Sequence, residues 1–157
     1  MIIDDEDHFK SLQPYTAVNF STIAIDFLKL IKFRLSISVV FSSLAGYLLA
    51  VEEIQIQSLL DLFFGGLFMV GASNAFNQWL EKDKDALMDR TKNRPLPSGR
   101  MNSITAIIIA TIFTILGIII LQNLNYKTAL FGAISIFTYT CIYTPLKRIT
   151  PLSVFIG

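Results

Sequence analysis

Histidine and cysteine are nearly missing from the 157 residues: there is one of each, His8 and Cys141. A single cysteine excludes an internal disulfide framework and a cysteine-ligated metal cluster, and a single histidine excludes a His-rich metal site within the chain. Charge is scarce too, at 16% of residues where about 25% is typical. Thirteen basic against twelve acidic residues leave +1, so there is no polycationic surface for nucleic acid and no acidic tail. What is abundant is hydrocarbon. Hydrophobic residues make up 53% and the mean hydropathy is +0.57, which excludes disorder and argues against a soluble globule. The length suits one domain. The class is an integral membrane protein, with the lipid bilayer as its solvent.

A membrane span needs about 20 mostly apolar residues, and four stretches qualify. They run from Leu35 to Val51, from Leu59 to Phe76, from Ile104 to Leu121 and from Thr128 to Pro145. Pro151–Gly157 reads as the opening of a fifth. The fold class expected is therefore all-α, a polytopic transmembrane helix bundle. Asp4, Asp5, Glu6 and Asp7 occupy the place of a basic signal-peptide n-region, so the start is no secretory signal. Residues 1–24 read as a polar cytoplasmic tail and residues 25–157 as membrane domain. Small residues in the first two spans, Ser42, Ser43, Ala45 and Gly46, then Gly65, Gly66, Gly71, Ala72 and Ser73, are expected to let helices pack closely.

Orientation follows from the basic residues. With the N-terminus inside, twelve of the thirteen lysines and arginines are cytoplasmic and only Lys127 is outside, a strong positive-inside bias. The connections after spans two and four then share the cytoplasmic face.

The connection after span two carries chemistry. No Gly or Pro interrupts the chain from Asn74 to Asn93, so the second helix is free to run on. Asn77, Glu81 and Asp85 recur at every fourth position, with Asp89 next in the series. At about 100° and 1.5 Å per residue, the first three share an arc of about 80° over about 12 Å. Oxygen donors without His or Cys suit a hard cation, Mg²⁺ before Ca²⁺. Mg²⁺ commonly takes one or two carboxylates and completes its shell with water and substrate phosphate. Arg90, Lys92 and Arg94, just downstream, are placed to hold the outer phosphate oxygens. The same charges would equally serve as a solvated helix end knitted by i,i+4 pairs, and spacing alone does not separate the two readings. Asn74, polar inside the span, favours a cavity or a partner. In the connection after span four, Tyr143 and Lys147 stand four apart, with Arg148 following and Pro145 between. By themselves they read as an interfacial aromatic and a snorkelling lysine.

Taken together, these residues resemble the UbiA-type intramembrane prenyltransferases. Asn77, Glu81 and Asp85, followed by Arg90-Thr91 and Arg94-Pro95, are similar to the family's first aspartate-rich motif; Tyr143 and Lys147 are similar to its Tyr-x-x-x-Lys motif. Within the family, Asn77–Glu81, Arg90–Pro97 and Tyr143–Pro151 most resemble the haem-farnesylating branch, the haem O synthases. Leu30–Arg34 resembles that branch's Thr-Lys-Pro-Arg run, with Phe33 for proline. Glu81 stands where the wider family usually has Asp, a longer arm to the same ligand atoms. The resemblance implies a bundle of about nine spans, of which this chain looks like the N-terminal half, with a second carboxylate motif in the other half.

The activity implied is transfer of a farnesyl group from farnesyl diphosphate to a vinyl group of haem b (protohaem IX), giving haem O. Its cofactor would be Mg²⁺, held by Glu81 and Asp85 with Asn77. Arg90, Arg94, Lys147, Arg148 and Arg34 would clamp the diphosphate, and Tyr143 would act near the scissile C–O bond. Asp89 reads as a helix-end partner. The setting implied is a bacterial inner membrane, with haem A synthase or the complementary C-terminal half as partner proteins. Two alternatives stand beside it: prenyl transfer to an aromatic acceptor such as a hydroxybenzoate, and a transporter half or non-catalytic membrane subunit.

The basic-residue asymmetry makes a direct prediction. Cysteines introduced near Glu52–Glu53 and Asn123–Asn125 should react with an impermeant maleimide from outside, and cysteines at Asp89 or Arg148 should not. Outside labelling at position 89 would invert the topology.

Overall fold

The computed structural model describes residues 20–147; His8, Arg148 and the expected start of a fifth span lie outside the described residues. Six α-helices follow in order: α1 (Phe20–Leu30), α2 (Phe33–Ala50), α3 (Ile56–Ala86), α4 (Ser103–Leu124), α5 (Tyr126–Phe137) and, after a π-helical turn over Thr138–Tyr143, the short α6 (Thr144–Leu146). There is no strand among the described residues. Four helices are long and apolar enough to cross a membrane: Phe33–Ala50, Ile56–Ala86, Ser103–Leu124 and the continuous run Tyr126–Leu146. They coincide with the four expected spans. Helical structure begins at Phe20, inside the stretch expected to be a polar tail.

The α3 helix is the central element. Its 31 residues extend about 46 Å at 1.5 Å per residue, well beyond a hydrocarbon core of about 30 Å. The excess lifts its last turns, with Glu81 and Asp85, out of the apolar layer. The α4 helix packs along α3 through small residues. A Cβ on Gly65 would lie 2.7 Å from Leu121 Cδ2, and one on Gly117 would lie 2.7 Å from Met69 Sδ and 3.2 Å from its backbone nitrogen. Such close approach is how helices associate where lipid removes the hydrophobic drive between them. One apolar cluster, Met69, Ala72, Leu121, Ala129 and Ile136, joins α3, α4 and α5. A second, Leu30, Ala75, Leu96, Ala106 and Ala110, with Trp79 and Met101 against it, fastens α1 and the loop after α3 to the polar end of the bundle.

The expectation for span one is not met among the described residues. Ser42, Ser43, Ala45 and Gly46 are all exposed, and a Cβ at Gly46 would meet nothing within 4 Å. The α2 helix instead packs on α3 through Ser36 and Val40, the residues it buries.

Capping explains the tight join of α4 to α5. Asn125 ends one helix and caps the next, its side chain accepting from the Lys127 N–H at 2.9 Å. Asn102 does the same for α4, accepting from Ile104 at 3.1 Å. Each side chain satisfies an otherwise orphaned amide.

Replacing Gly117 by Val should therefore force α3 and α4 apart and cost about 1–3 kcal/mol, the range for overpacking. Gly46→Val should be close to neutral. Thermal melting of the two variants in detergent checks the contrast, and equal effects would contradict the packing described.

Candidate active site

The site is organised by an interruption in the first helical pair. Between α1 and α2 the chain breaks at Ile31–Lys32, and Lys32 adopts a left-handed backbone, φ 47°, uncommon for any residue but glycine. A broken helix leaves carbonyls without partners, and α3 supplies them. Gln78 Nε2 donates to the carbonyls of Lys29 and Leu30, both at 2.8 Å. Asn74 Nδ2 donates to the Ile31 carbonyl at 3.3 Å, and Ser36 Oγ donates to the same carbonyl at 2.8 Å. Asn74, Gln78 and Ser36 are all buried. The break is thus anchored beside the α3 turn that carries Asn77 and Glu81.

The fourth span closes the site from the other side. Pro145 has no N–H, so a regular α-helical bond cannot form there, and the turn before it opens to π geometry. From the residue after that turn, the Thr144 hydroxyl donates back to the Tyr139 carbonyl at 2.8 Å. Thr144 is fully buried, and its hydroxyl also lies 3.3 Å from Asn77 Oδ1. Lys147 Nζ pairs with Glu81 Oε1 at 2.7 Å and donates to Asn77 Oδ1 at 3.5 Å. The same ammonium sits 5.3 Å from the Tyr143 ring centre, and that ring stacks on Tyr139 with centroids 5.1 Å apart. Pro145 therefore leaves Tyr143 and Lys147 on one face.

The loop following α3 supplies the third side. Arg94 Nη1 pairs with Asp85 Oδ2 at 2.6 Å, and the buried Thr91 hydroxyl donates to the Asp85 carbonyl at 2.9 Å. Arg100 grips the buried Asp26 of α1 through Nε at 2.9 Å and Nη2 at 3.1 Å. Its Nη2 also donates to the Asn93 carbonyl at 2.9 Å. That bidentate contact with Asp26 raises the Arg100 pKa and ties the loop to the first helix.

Asn77, Glu81, Asp85, Arg94, Tyr143 and Lys147 thus converge on the polar end of α3. Other expected members do not join them. Arg34 and Arg90 are exposed, and neither takes part in an ion pair among the described residues. Asp89 lies beyond the end of α3 and pairs with Lys92 at 2.7 Å on the surface. Arg148 falls outside the described residues.

Comparison with known proteins places this geometry. The sequence profile of the UbiA prenyltransferase family matches residues 39–157. The chain belongs to the UbiA prenyltransferase family. Among curated relatives, it is 63% identical over 135 residues to a protoheme IX farnesyltransferase of Flavobacterium psychrophilum, covering 84% of this chain and 45% of that protein. It is 58% identical over 137 residues to the protein of the same name from Christiangramia forsetii, covering 87% and 46%. The chain spans about half the length of the curated relatives it matches. In fold it is similar to a solved digeranylgeranylglyceryl phosphate synthase, with a TM-score of 0.78 and 25% identity over 85% of this chain and 47% of that one. Membership of this family and the four apolar helices make the chain an integral, multi-pass membrane protein.

UbiA prenyltransferases are generally metal-dependent, so the donor set must be tested against a metal. Among the described residues no three His, Cys, Asp or Glu side chains gather into a ready-made metal cluster. The stripe offers two carboxylates and an amide oxygen, hard donors that suit a divalent cation sharing its shell with phosphate and water. The residues fit a cation held jointly with a phosphorylated ligand.

The sequence reading gave no role to several supporting residues. It noted Asn74 as polar inside the span, facing a cavity or a partner, but not Gln78, one helical turn on in α3 and polar on the same face. Asp26 and Arg100 carry no readable signal, since 74 positions separate them. Lys32, inside the Leu30–Arg34 run, was given no role of its own. It is half-buried, and desolvation lowers its pKa; Arg94 and Lys147 act in the same direction, while Glu81 and Asp85 oppose it.

Gln78→Leu keeps the side chain's bulk but removes both donations to the break. The Lys29 carbonyl keeps the Lys32 N–H at 3.3 Å, but the Leu30 carbonyl is orphaned at a cost of about 1–3 kcal/mol, so the variant should melt below the unaltered protein. Limited proteolysis should open first at the junction of α1 and α2. A melting temperature unchanged by Gln78→Leu would show that the break is held by other means.

Proposed function

We propose that this chain forms part of a Mg²⁺-dependent enzyme that transfers a farnesyl group from farnesyl diphosphate to a vinyl group of protohaem IX (haem b), giving haem O. One observation carries the reading: Glu81, Asp85 and Asn77 meet Arg94, Lys147 and Tyr143 at one end of an apolar bundle, in a chain whose curated relatives are named protoheme IX farnesyltransferase.

The chemistry follows from these groups. Farnesyl diphosphate ionises by breaking its C1–O bond, and the electron pair leaves with the diphosphate. Mg²⁺, when bound through Glu81 and Asp85 with Asn77, supplies positive charge to the phosphate oxygens. Arg94 and Lys147 exchange their carboxylate partners for phosphate oxygens and stabilise negative charge as it develops. Arg34, Arg90 and Arg148 are assigned to the outer phosphate surface. Tyr143 is assigned to orient the substrate or stabilise charge near the scissile C–O bond. The vinyl π-electrons of the haem form the new carbon–carbon bond, and water adds to the resulting cation as a hydroxyl group with loss of a proton.

A place for the hydrocarbon chain lies alongside. A groove of about 420 Å³ between α3 and the fourth span is lined by Met69, Val70, Ser73, Gly132, Thr138 and Tyr139, within the range of ordinary ligand pockets. It runs along α3 from the turn before Asn77, so a tail laid in it would leave the diphosphate at the polar end. That end is assigned to the cytoplasm, the N-terminus lying inside, on the strength of the basic residues there, and the bilayer to a bacterial inner membrane. The complementary half of the relatives' length, and haem A synthase as consumer of haem O, are the protein partners assigned.

The test replaces the matching segment of the Flavobacterium psychrophilum relative with this chain and measures haem O in membranes. The chimera should make haem O. Asp85→Asn and Glu81→Gln should each lower turnover by about 100-fold or more, the scale of losing one stabilising group at a developing charge. EDTA should do the same, and the exposed Asp83→Asn should stay near normal. Turnover insensitive to EDTA and to both substitutions would overturn the assignment.

A further inference from the structure

We infer that Lys32 is a third cation of the diphosphate site, presented to the ligand by the break between α1 and α2. The inference rests on the diphosphate reading above and gives a role to a residue of the Leu30–Arg34 run to which none was assigned.

Three observations carry it. First, charge at the site is unbalanced. Glu81 and Asp85 are matched one to one by Lys147 and Arg94, and Lys32 is a further cation within electrostatic reach of all four. Lys32 takes part in no ion pair among the described residues. Three cations around two carboxylates leave a net positive charge in a half-buried place, the condition for holding an anion rather than for balancing the protein's own charges.

Second, its backbone is held in a costly conformation. A left-handed φ at a lysine is unfavourable, and such strain persists where its surroundings over-determine it. Here the carbonyls on the N-terminal side of Lys32, those of Lys29, Leu30 and Ile31, are held by Gln78, Asn74 and Ser36. Lys32 itself starts the next helix, its carbonyl accepting from the Ser36 N–H at 3.0 Å. A glycine would relieve the strain, yet a long cationic side chain occupies the position.

Third, the anchors lie on the α3 turns that bear the site. Asn74 and Gln78 bracket Asn77, and Glu81 follows within one turn of Gln78. The break is fixed against the stripe itself. The neighbouring cation Lys29 is exposed and lends only its carbonyl to the arrangement.

The experiment measures inorganic diphosphate binding by the purified chain in detergent, using calorimetry and the fluorescence of Trp79, the one tryptophan. Lys32→Gln should weaken binding by about 10- to 100-fold, the loss expected for one charge-assisted hydrogen bond to phosphate. Lys32→Arg should bind within a few-fold of the unaltered chain. Lys32→Gly should bind as weakly as Lys32→Gln without melting lower, because its backbone conformation is one that glycine adopts freely. Lys29→Gln should have little effect. If Lys147→Gln weakens binding and Lys32→Gln does not, the role of Lys32 is overturned and the diphosphate reading stands. If the unaltered chain binds no diphosphate, both fall.

Discussion

Hydrocarbon does not satisfy a broken helix. An unpaired carbonyl near the membrane core costs several kcal/mol, so the interruption between α1 and α2 survives only because Asn74, Gln78 and Ser36 complete its hydrogen bonds. Much of the polar end depends on that substitution of side-chain donors for backbone ones. It fixes where α1 lies, and α1 carries Asp26, which holds Arg100 and hence the loop bearing Arg94. It also fixes the direction in which α2 leaves. A single helix would have met none of these needs.

The two carboxylates of the stripe join α3 to different parts of the chain. Glu81 reaches the end of the fourth span through Lys147, and Asp85 reaches the following loop through Arg94. Each pair is only partly buried, so neither adds much stability. Their value lies in placement. Cations that are already close to oxygen ligands need move little to meet a phosphate, and a site whose groups are arranged before the ligand arrives spends less of its binding energy on ordering them.

How much of this was legible depended on the range of each interaction. The stripe of Asn77, Glu81 and Asp85 could be read because helical spacing is local and no residue broke the helix before Ala86. The four spans were readable for the same reason. Tyr143 and Lys147 were readable as a pair, which the Lys147 N–H to Tyr143 carbonyl bond at 3.0 Å keeps on one face, although the π turn that precedes them was not. The clamp on Lys29–Ile31 joins residues more than 40 positions apart, and the Asp26–Arg100 pair joins residues 74 apart. No local pattern announces such contacts. The small residues of α2 were as legible a local pattern, but among the described residues a Cβ at Gly46 meets nothing within 4 Å.

The π turn has a consequence for how the family member can change length. A π turn accommodates one residue more than the α-helical turn it replaces. Deleting one residue from Thr138–Tyr143 would restore α geometry and leave what lies beyond close to its present phase, because the wider turn sweeps about the same angle with one residue more. Thr144 and Lys147 would still face Asn77, and the hydrophobic face of α5 would stay where it is. The π turn is thus the place where the fourth span can lose a residue without uncoupling its bilayer part from the part that meets Asn77 and Glu81. A residue lost from the helix while the π turn persists would instead rotate Lys147 away from Asn77 by about 100°.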